Sequence, residues 1–139
     1  MNTIRFTVPL PPGALRSNSR AHWAAKKKAA DAYSLYVIVS DWPRQGGGTP
    51  EQMGCPWKQA KVTYTWRYAG VRPDHSNLGG NTKHLQDIIC MAPRNTDARY
   101  KRWHLGLVED DAGITAEYRL EKVAHRHQEE VMIEIRRLA

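Results

Sequence analysis

The 139-residue sequence has only two cysteines, Cys55 and Cys90. It contains no CxxC pair and no Cys/His spacing of the zinc-module type, and its six histidines form no HxxxH or HExxH pattern. These absences disfavour a disulfide-stapled secreted fold, a structural zinc module and a zinc enzyme. We therefore expect the protein to work in a reducing cytosol.

Long apolar runs are also absent. No stretch approaches the ~20 apolar residues that a membrane-spanning helix needs. Arg5 and Pro9 stand near the N-terminus, where a signal peptide would need an apolar run. We expect a cytoplasmic protein without a membrane partner.

Acidic residues are outnumbered, with 14 Asp and Glu against 21 Lys and Arg, for a formal net charge of +7. This surplus suits a polyanionic partner, because each phosphate contact releases counterions, and so it favours nucleic acid over a merely soluble basic protein. The length and the 41% of hydrophobic residues favour one globular domain over residues 1–139.

Hydrophobic periodicity predicts the element order β, α, β, α, β, β. This order gives a single α+β domain whose mixed or antiparallel sheet has helices packed on it. Strands are predicted over 3–8, 58–68, 113–125 and 129–138, and helices over 21–41 and 82–91. Pro43 and Pro93 are expected to end the two helices, and Asn81 or Thr82 to cap the second. Trp23, Tyr64 and Trp66 are predicted to pack in the core or an interface.

Acidic residues cluster in two predicted turns. Asp74 follows the second strand, and Glu109, Asp110 and Asp111 precede the third. A nuclease needs such carboxylates, because Mg²⁺ takes oxygen ligands and must lie beside the scissile phosphate. Taken alone, adjacent acids in a turn are more often solvated than catalytic.

Five short motifs occur in a fixed order along nearly the whole chain. They are the Pro-rich turn Val8-Pro9-Leu10-Pro11-Pro12, Asn18-Ser19-Arg20, Asp74-x-Ser76-Asn77-Leu78, Lys83-x-x-x-Asp87 and Asp110-Asp111-Ala112-Gly113-Ile114. This set resembles the RusA family of Holliday-junction resolvases, which shares a Pro-rich first turn, a DxDNL segment, a helical KxxxD and a DD pair before a strand.

The resemblance implies a structure-specific endodeoxyribonuclease of recombination and repair that uses Mg²⁺, with Mn²⁺ as the alternative. It implies that Asp74 and Asp111 are metal ligands with Asp110 beside them. Lys83 would act near the scissile phosphate, and Asp87 is the family's acid one turn later. It also implies a homodimer acting on four-way junctions, since two strands must be cut symmetrically, and a phage gene whose product works in the host cytoplasm.

Two features depart from the family pattern. Ser76 stands where the family has its second DxDNL acid, so the site has one carboxylate fewer. The candidates to fill that ligand position are Ser76 itself, His75, Asp87, Asp110 and water. The stretch 79–82 looks like an insertion ahead of Lys83. A branched-DNA-binding protein of the same fold with impaired catalysis is therefore the rival hypothesis. An RNA-binding module is a weaker one, since no RNP, KH or dsRNA-binding motif is visible.

Basic residues in three regions are candidates for DNA contact. The segment 94–103 mixes cations with aromatic residues, as DNA-contacting loops do, although a solvated loop or helix face is the alternative for each region. The candidates are Arg16, Arg20, Lys26, Lys27, Arg72, Arg94, Arg99, Lys101, Arg102 and Trp103.

Overall fold

The computed structural model describes residues 2–16, 19–97 and 103–138. Its strands and helices follow the predicted order and confirm an α+β domain. They are β1 (Thr3–Val8), α1 (Trp23–Leu35), α2 (Trp42–Arg44), β2 (Ala60–Tyr68), α3 (Leu78–Asn81), α4 (Lys83–Ile89), β3 (Ile114–Lys122) and β4 (Glu130–Arg137).

The four strands form one mixed sheet in the order β1-β4-β2-β3. Strand β4 runs antiparallel to both β1 and β2, whereas β2 and β3 are parallel. At the centre of the sheet Ile133 pairs with Phe6 on one side and Tyr64 on the other, and Tyr64 pairs with Tyr118. Of the two predicted sheet types, the mixed sheet is therefore the one that forms.

Alternation along the strands separates an apolar face from a polar face. The apolar face packs under the helices and is buried: Ile4, Phe6, Val8, Val62, Tyr64, Trp66, Val131, Ile133 and Ile135. The other face carries cross-strand ion pairs, among them Arg5–Glu134 and Lys61–Glu117, both at 2.8 Å. A sheet with one packed face and one hydrated face explains why period-2 patterning was visible in the sequence.

The first helix extends further than predicted. Residues Tyr36–Asp41 continue α1 as a π-helical segment, and α2 then includes Pro43, so this proline does not end the helix. Proline lacks an N–H, and its ring clashes with the carbonyl four residues earlier. The wider π-helical turn ahead of Pro43 accommodates both defects.

The second helical region begins earlier and ends sooner than predicted. Residues Leu78–Asn81 already form α3, and α4 ends at Ile89, well before Pro93. Thr82 occupies the N-cap position of α4, but its hydroxyl donates to the Leu78 carbonyl at 2.8 Å instead of capping the helix. The stretch predicted to be an insertion is therefore largely helical. No helix in the described ranges is long and apolar enough to cross a membrane.

Candidate active site

Asp74 sits in the turn that follows β2. It precedes a 3₁₀ turn, His75–Asn77, and its Oδ1 atom accepts hydrogen bonds from the Ser76 hydroxyl at 2.9 Å and the Ser76 amide at 3.0 Å. These bonds favour the ionised carboxylate and lower the pKa of Asp74. Ser76 thus donates to Asp74, whereas an acid at this position would add a second negative charge.

Helix α4 carries Lys83 and Asp87. The two residues are four positions apart, so they share one face of the helix, and both are exposed. At the other end of α4, the Nδ1 atom of His104 lies 2.8 Å from the Asp87 carbonyl oxygen. Because a carbonyl only accepts, Nδ1 is the donor, and this bond ties His104 to the turn that carries Asp87.

Residues 104–109 run alongside the end of α4 and bring Asp110 and Asp111 beside Asp87. The backbone amide of Leu107 donates to the Ile89 carbonyl at 2.8 Å, and that of Met91 donates to the Val108 carbonyl at 2.9 Å. Val108 also forms a parallel bridge to Trp57, ahead of β2. The 104–109 segment is therefore held on both sides immediately before the two acids.

Asp110 and Asp111 are adjacent, exposed carboxyl groups that act on each other. This interaction raises the pKa of Asp111 and lowers that of Asp110, and the nearby Asp87 raises the pKa of Asp111 further. Burial raises the pKa of the Cys90 thiol to about 12, and Asp111, Asp87 and Asp110 all act in the same direction. Three carboxylates from two segments therefore converge around one buried thiol.

These acids line a cleft of about 640 Å³. Asp31 and Ser34 of α1 form one wall, and the 91–96 segment with Trp103 and His104 forms another. Five carboxylates contribute to its lining: Asp31, Asp87, Glu109, Asp110 and Asp111. In a chain of net charge +7, this cleft is a concentrated negative site within a basic protein.

Asp74, Ser76 and Lys83 are not among the described residues that line the cleft. The parallel pairing of β2 with β3 explains the position of Asp74. Asp74 follows the end of β2, whereas Asp111 precedes the start of β3, so the two residues leave the paired strands at opposite ends. The turn folds back only in part. His75 Nε2 lies 3.0 Å from the Tyr118 carbonyl oxygen, about 13 Å along β3 from Ile114. A single ion bridging Asp74 and Asp111 remains a prediction.

The donor chemistry in the cleft suits a hard divalent cation. Two neighbouring carboxyl groups resist ionising together, and an oxygen-seeking cation such as Mg²⁺ can take the place of the proton that relieves their repulsion. In the parts of the chain that the structure describes, no three His, Cys, Asp or Glu side chains are already arranged to hold a metal ion. Asp110 and Asp111 thus offer a pair of ligands that water and phosphate oxygens would complete.

The basic candidates occupy different environments. Arg20, Lys27, Arg72 and Arg94 are exposed, Lys26 and Trp103 are half-buried, and Arg94 and Trp103 line the cleft. Arg16 turns inward: its Nε donates to the Pro11 carbonyl at 3.1 Å, and its guanidinium lies 5.4 Å from the centroid of the Trp66 ring. The predicted DNA contacts Arg99, Lys101 and Arg102 lie outside the described residues.

Several cleft residues were not selected from the sequence. Asp31 and Ser34 are three apart on α1, as His84 and Asp87 are on α4, so each pair shares a helix face. His84 joins the two helices, because its Nε2 lies 2.8 Å from the Ser34 hydroxyl oxygen. Helical spacing identifies each pair separately, but only helix packing places the pairs together.

Comparison of the chain with protein-family models finds no match, and a search of curated proteins finds no significant match either.

Proposed function

We propose that this protein is a metal-dependent endodeoxyribonuclease that cleaves branched DNA such as four-way junctions, in recombination and repair. The convergence of Asp87, Asp110 and Asp111 at the cleft, in a chain of net charge +7, is the observation that carries this proposal. A basic surface attracts the DNA backbone, and a local acidic site needs a cation before it accepts a phosphate. The RusA-like order of motifs supports the same function.

Asp110 and Asp111 would hold the Mg²⁺ ion, with Asp87 beside them and Asp74 reaching the ion only if its turn moves toward the cleft. Bound there, the ion would activate water and stabilise charge on the phosphate. Mn²⁺ is an alternative, because it accepts the same oxygen ligands. Lys83, exposed at the start of α4, would neutralise phosphate charge near the site.

The protein would act as a RusA-like homodimer, because a four-way junction is resolved by two symmetric cuts and so needs two sites. Its place of action would be the cytoplasm, and that of the host if the gene belongs to a phage. The partner would be branched DNA, held by exposed basic residues, with Arg94 at the cleft and Arg20, Lys27 and Arg72 elsewhere on the surface.

One observation favours the second candidate, a branched-DNA-binding protein without catalysis. Ser76 uses both its amide and its hydroxyl to bind Asp74, so this turn is satisfied without a metal ion. Such a protein would bind junctions equally well with and without divalent ions.

Cleavage of a synthetic four-way junction tests the proposal directly. Wild-type protein is incubated with labelled junction in Mg²⁺, in Mn²⁺ and in chelator, and Asp110→Asn and Asp111→Asn are compared with it. Each substitution should lower cleavage by more than about 100-fold, since even the outer-shell partners of a metal ion contribute 10- to 100-fold. Glu121→Gln is the matched control, because it removes one negative charge from the exposed side of β3 and should leave cleavage unchanged.

Binding measured in chelator separates the two candidates. Tight junction binding without cleavage in either metal would support the binding protein. Weak binding to junction and duplex alike would contradict both.

A further inference from the structure

Trp23 differs from the buried tryptophans of this protein in its exposure. Trp42, Trp57 and Trp66 are at most 6% exposed, whereas Trp23 is 71% exposed in the first turn of α1. Its ring lies against the ring of its neighbour His22, at a centroid distance of 5.5 Å. Of the two roles predicted for Trp23, packing in the core is therefore wrong, and packing in an interface stays a prediction. Its indole ring is presented to the outside of the molecule.

The surroundings of Trp23 favour a polyanionic partner. Arg20 precedes it, and Lys26, Lys27 and Lys28 follow within two turns of the helix, while Asp31 is the single acid of α1. An aromatic face among cations is the usual composition of a surface that stacks bases and tracks a phosphate backbone.

Helical geometry connects Trp23 to the cleft. Trp23, Lys27 and Ser34 are spaced by four and seven residues, so they share one face of α1, and Ser34 lines the cleft together with Asp31. At a rise of 1.5 Å per residue, Trp23 lies about 12 Å from Asp31 along the helix. That distance corresponds to about three to four steps of a B-form strand at 3.4 Å per nucleotide.

A protein partner is a poorer occupant for this surface. The other large exposed apolar residues of the helix, Leu35, Tyr36 and Val39, begin about 18 Å further along it. They also lie on other faces, and the neighbours of Trp23 in its own turn are Ala24 and Ala25. Trp23 is thus an isolated aromatic residue among cations, whereas a protein interface needs a continuous apolar core.

We propose that Trp23 is a stacking platform for a base left unstacked at the branch point of DNA whose phosphate backbone enters the cleft. The inference rests on the proposed function and specifies which feature of the substrate is recognised. Fully paired duplex keeps its bases stacked on one another, so it offers Trp23 no free base face. An open branch point offers several, and Trp23 would therefore contribute to preference for the branch over linear DNA.

Equilibrium binding in chelator tests this without requiring cleavage. Wild-type, Trp23→Ala and Trp23→Phe proteins are titrated against an open four-way junction and against linear duplex of the same sequence. Trp23→Ala should weaken junction binding about 5- to 150-fold, the range for removing one base–aromatic stack. Binding to duplex should change less than about 2-fold, and Trp23→Phe should keep most of the junction affinity because it keeps an aromatic face.

A spectroscopic readout identifies the stack itself. In a Trp103→Phe background, junction binding should quench the emission of Trp23, because the remaining tryptophans are buried. Fully paired duplex should leave that emission unchanged. Since Trp23 is exposed, its substitution should not alter the melting temperature.

Two results would overturn the inference while leaving the proposed function intact. One is a Trp23→Ala protein with the wild-type preference for junction over duplex. The other is a change in oligomeric state on substitution, which would make Trp23 a contact between copies. Wild-type protein that binds no junction would instead remove the proposed function together with the inference.

Discussion

The imidazole Nε2 of His84 lies 2.8 Å from the hydroxyl oxygen of Ser34 and 3.2 Å from the carbonyl oxygen of Ala30. Because the carbonyl only accepts, Nε2 carries a proton and is shared between the two oxygens. This contact joins α4 to α1 at the cleft. A neutral histidine in this position couples the packing of two helices to pH.

We expect the stability of the protein to fall as the pH drops below 6.5. Burial lowers the pKa of His84 below its ordinary value of 6.5, so the unfolded chain takes up the proton first. The free energy of unfolding should therefore decrease from pH 6.5 down to the lowered pKa, and His84 should contribute no slope above pH 6.5. Urea unfolding of wild type and His84→Gln at several pH values measures this, and His84→Gln should show a shallower fall.

His127→Gln is the matched control for that experiment, because His127 is exposed in the turn between β3 and β4. It should retain the wild-type slope. A His84→Gln protein with the wild-type pH dependence would assign the slope to other groups.

Replacing Gly113 should destabilise the protein and displace Asp111. A Cβ atom at this position would lie 2.1 Å from the backbone carbonyl oxygen of Lys58. Since a backbone atom cannot move aside as a flexible side chain does, Gly113→Ala should cost about 1–3 kcal/mol or more of unfolding free energy. Cleavage should fall too, because Gly113 ends the turn that begins at Asp111.

Gly13→Ala provides the comparison, because nothing lies within 4 Å of a Cβ built there. Its unfolding midpoint in urea should stay close to that of wild type. If Gly113→Ala had the same unfolding midpoint as Gly13→Ala, the 110–113 turn would be able to move away from the Lys58 carbonyl at no cost.

Ser76→Asp should make the protein depend more strongly on divalent cations. The Ser76 hydroxyl now donates to Asp74 at 2.9 Å, whereas a carboxylate there would repel Asp74 until a cation binds. Millimolar Mg²⁺ should therefore raise the melting temperature of Ser76→Asp more than that of wild type, and cleavage at low Mg²⁺ should increase. Ser76→Ala, which adds no charge, is the control.

If Ser76→Asp cleaves as well as wild type and responds no more strongly to Mg²⁺, then Asp87 or Asp110 already fills the ligand position. Loss of DNA binding in chelator, with no gain in cleavage, would favour the binding protein.

Neutralising Arg99, Lys101 and Arg102 together should reduce the salt dependence of junction binding. The slope of log K against log salt changes by about 0.9 for each phosphate that the protein neutralises, so the triple variant should lower the slope by up to about 2.7. Neutralising Arg5, Arg67 and Arg119 removes the same charge from the polar sheet face, where each is already ion-paired, and should change the slope less. Equal slopes in wild type and in the first variant would exclude the 99–102 residues from the DNA surface.

The strands could be predicted because the alternation of apolar and polar residues that specifies each strand lies within a short stretch of sequence. Alternation of Val131, Ile133 and Ile135 with polar neighbours gives β4, and the structure buries all three. Helix ends were predicted less well, since Pro43 is accommodated by a π-helical turn and Thr82 bonds backward to Leu78. Both exceptions depend on local backbone geometry that a pattern of residue types does not record.

By itself, the sequence determined the element order, the buried face of the sheet and the acidic turns at 74 and 109–111. Only the tertiary structure decided which acids meet. Parallel pairing of β2 with β3 places Asp74 and Asp111 at opposite ends of the two strands, while the backbone bonds of 104–109 to α4 bring Asp111 near Asp87. The tertiary structure also leaves Trp23 exposed, in a helix whose later turns line the cleft. Strand direction and helix packing arise from contacts between residues far apart in the chain, and no periodicity within one segment specifies them.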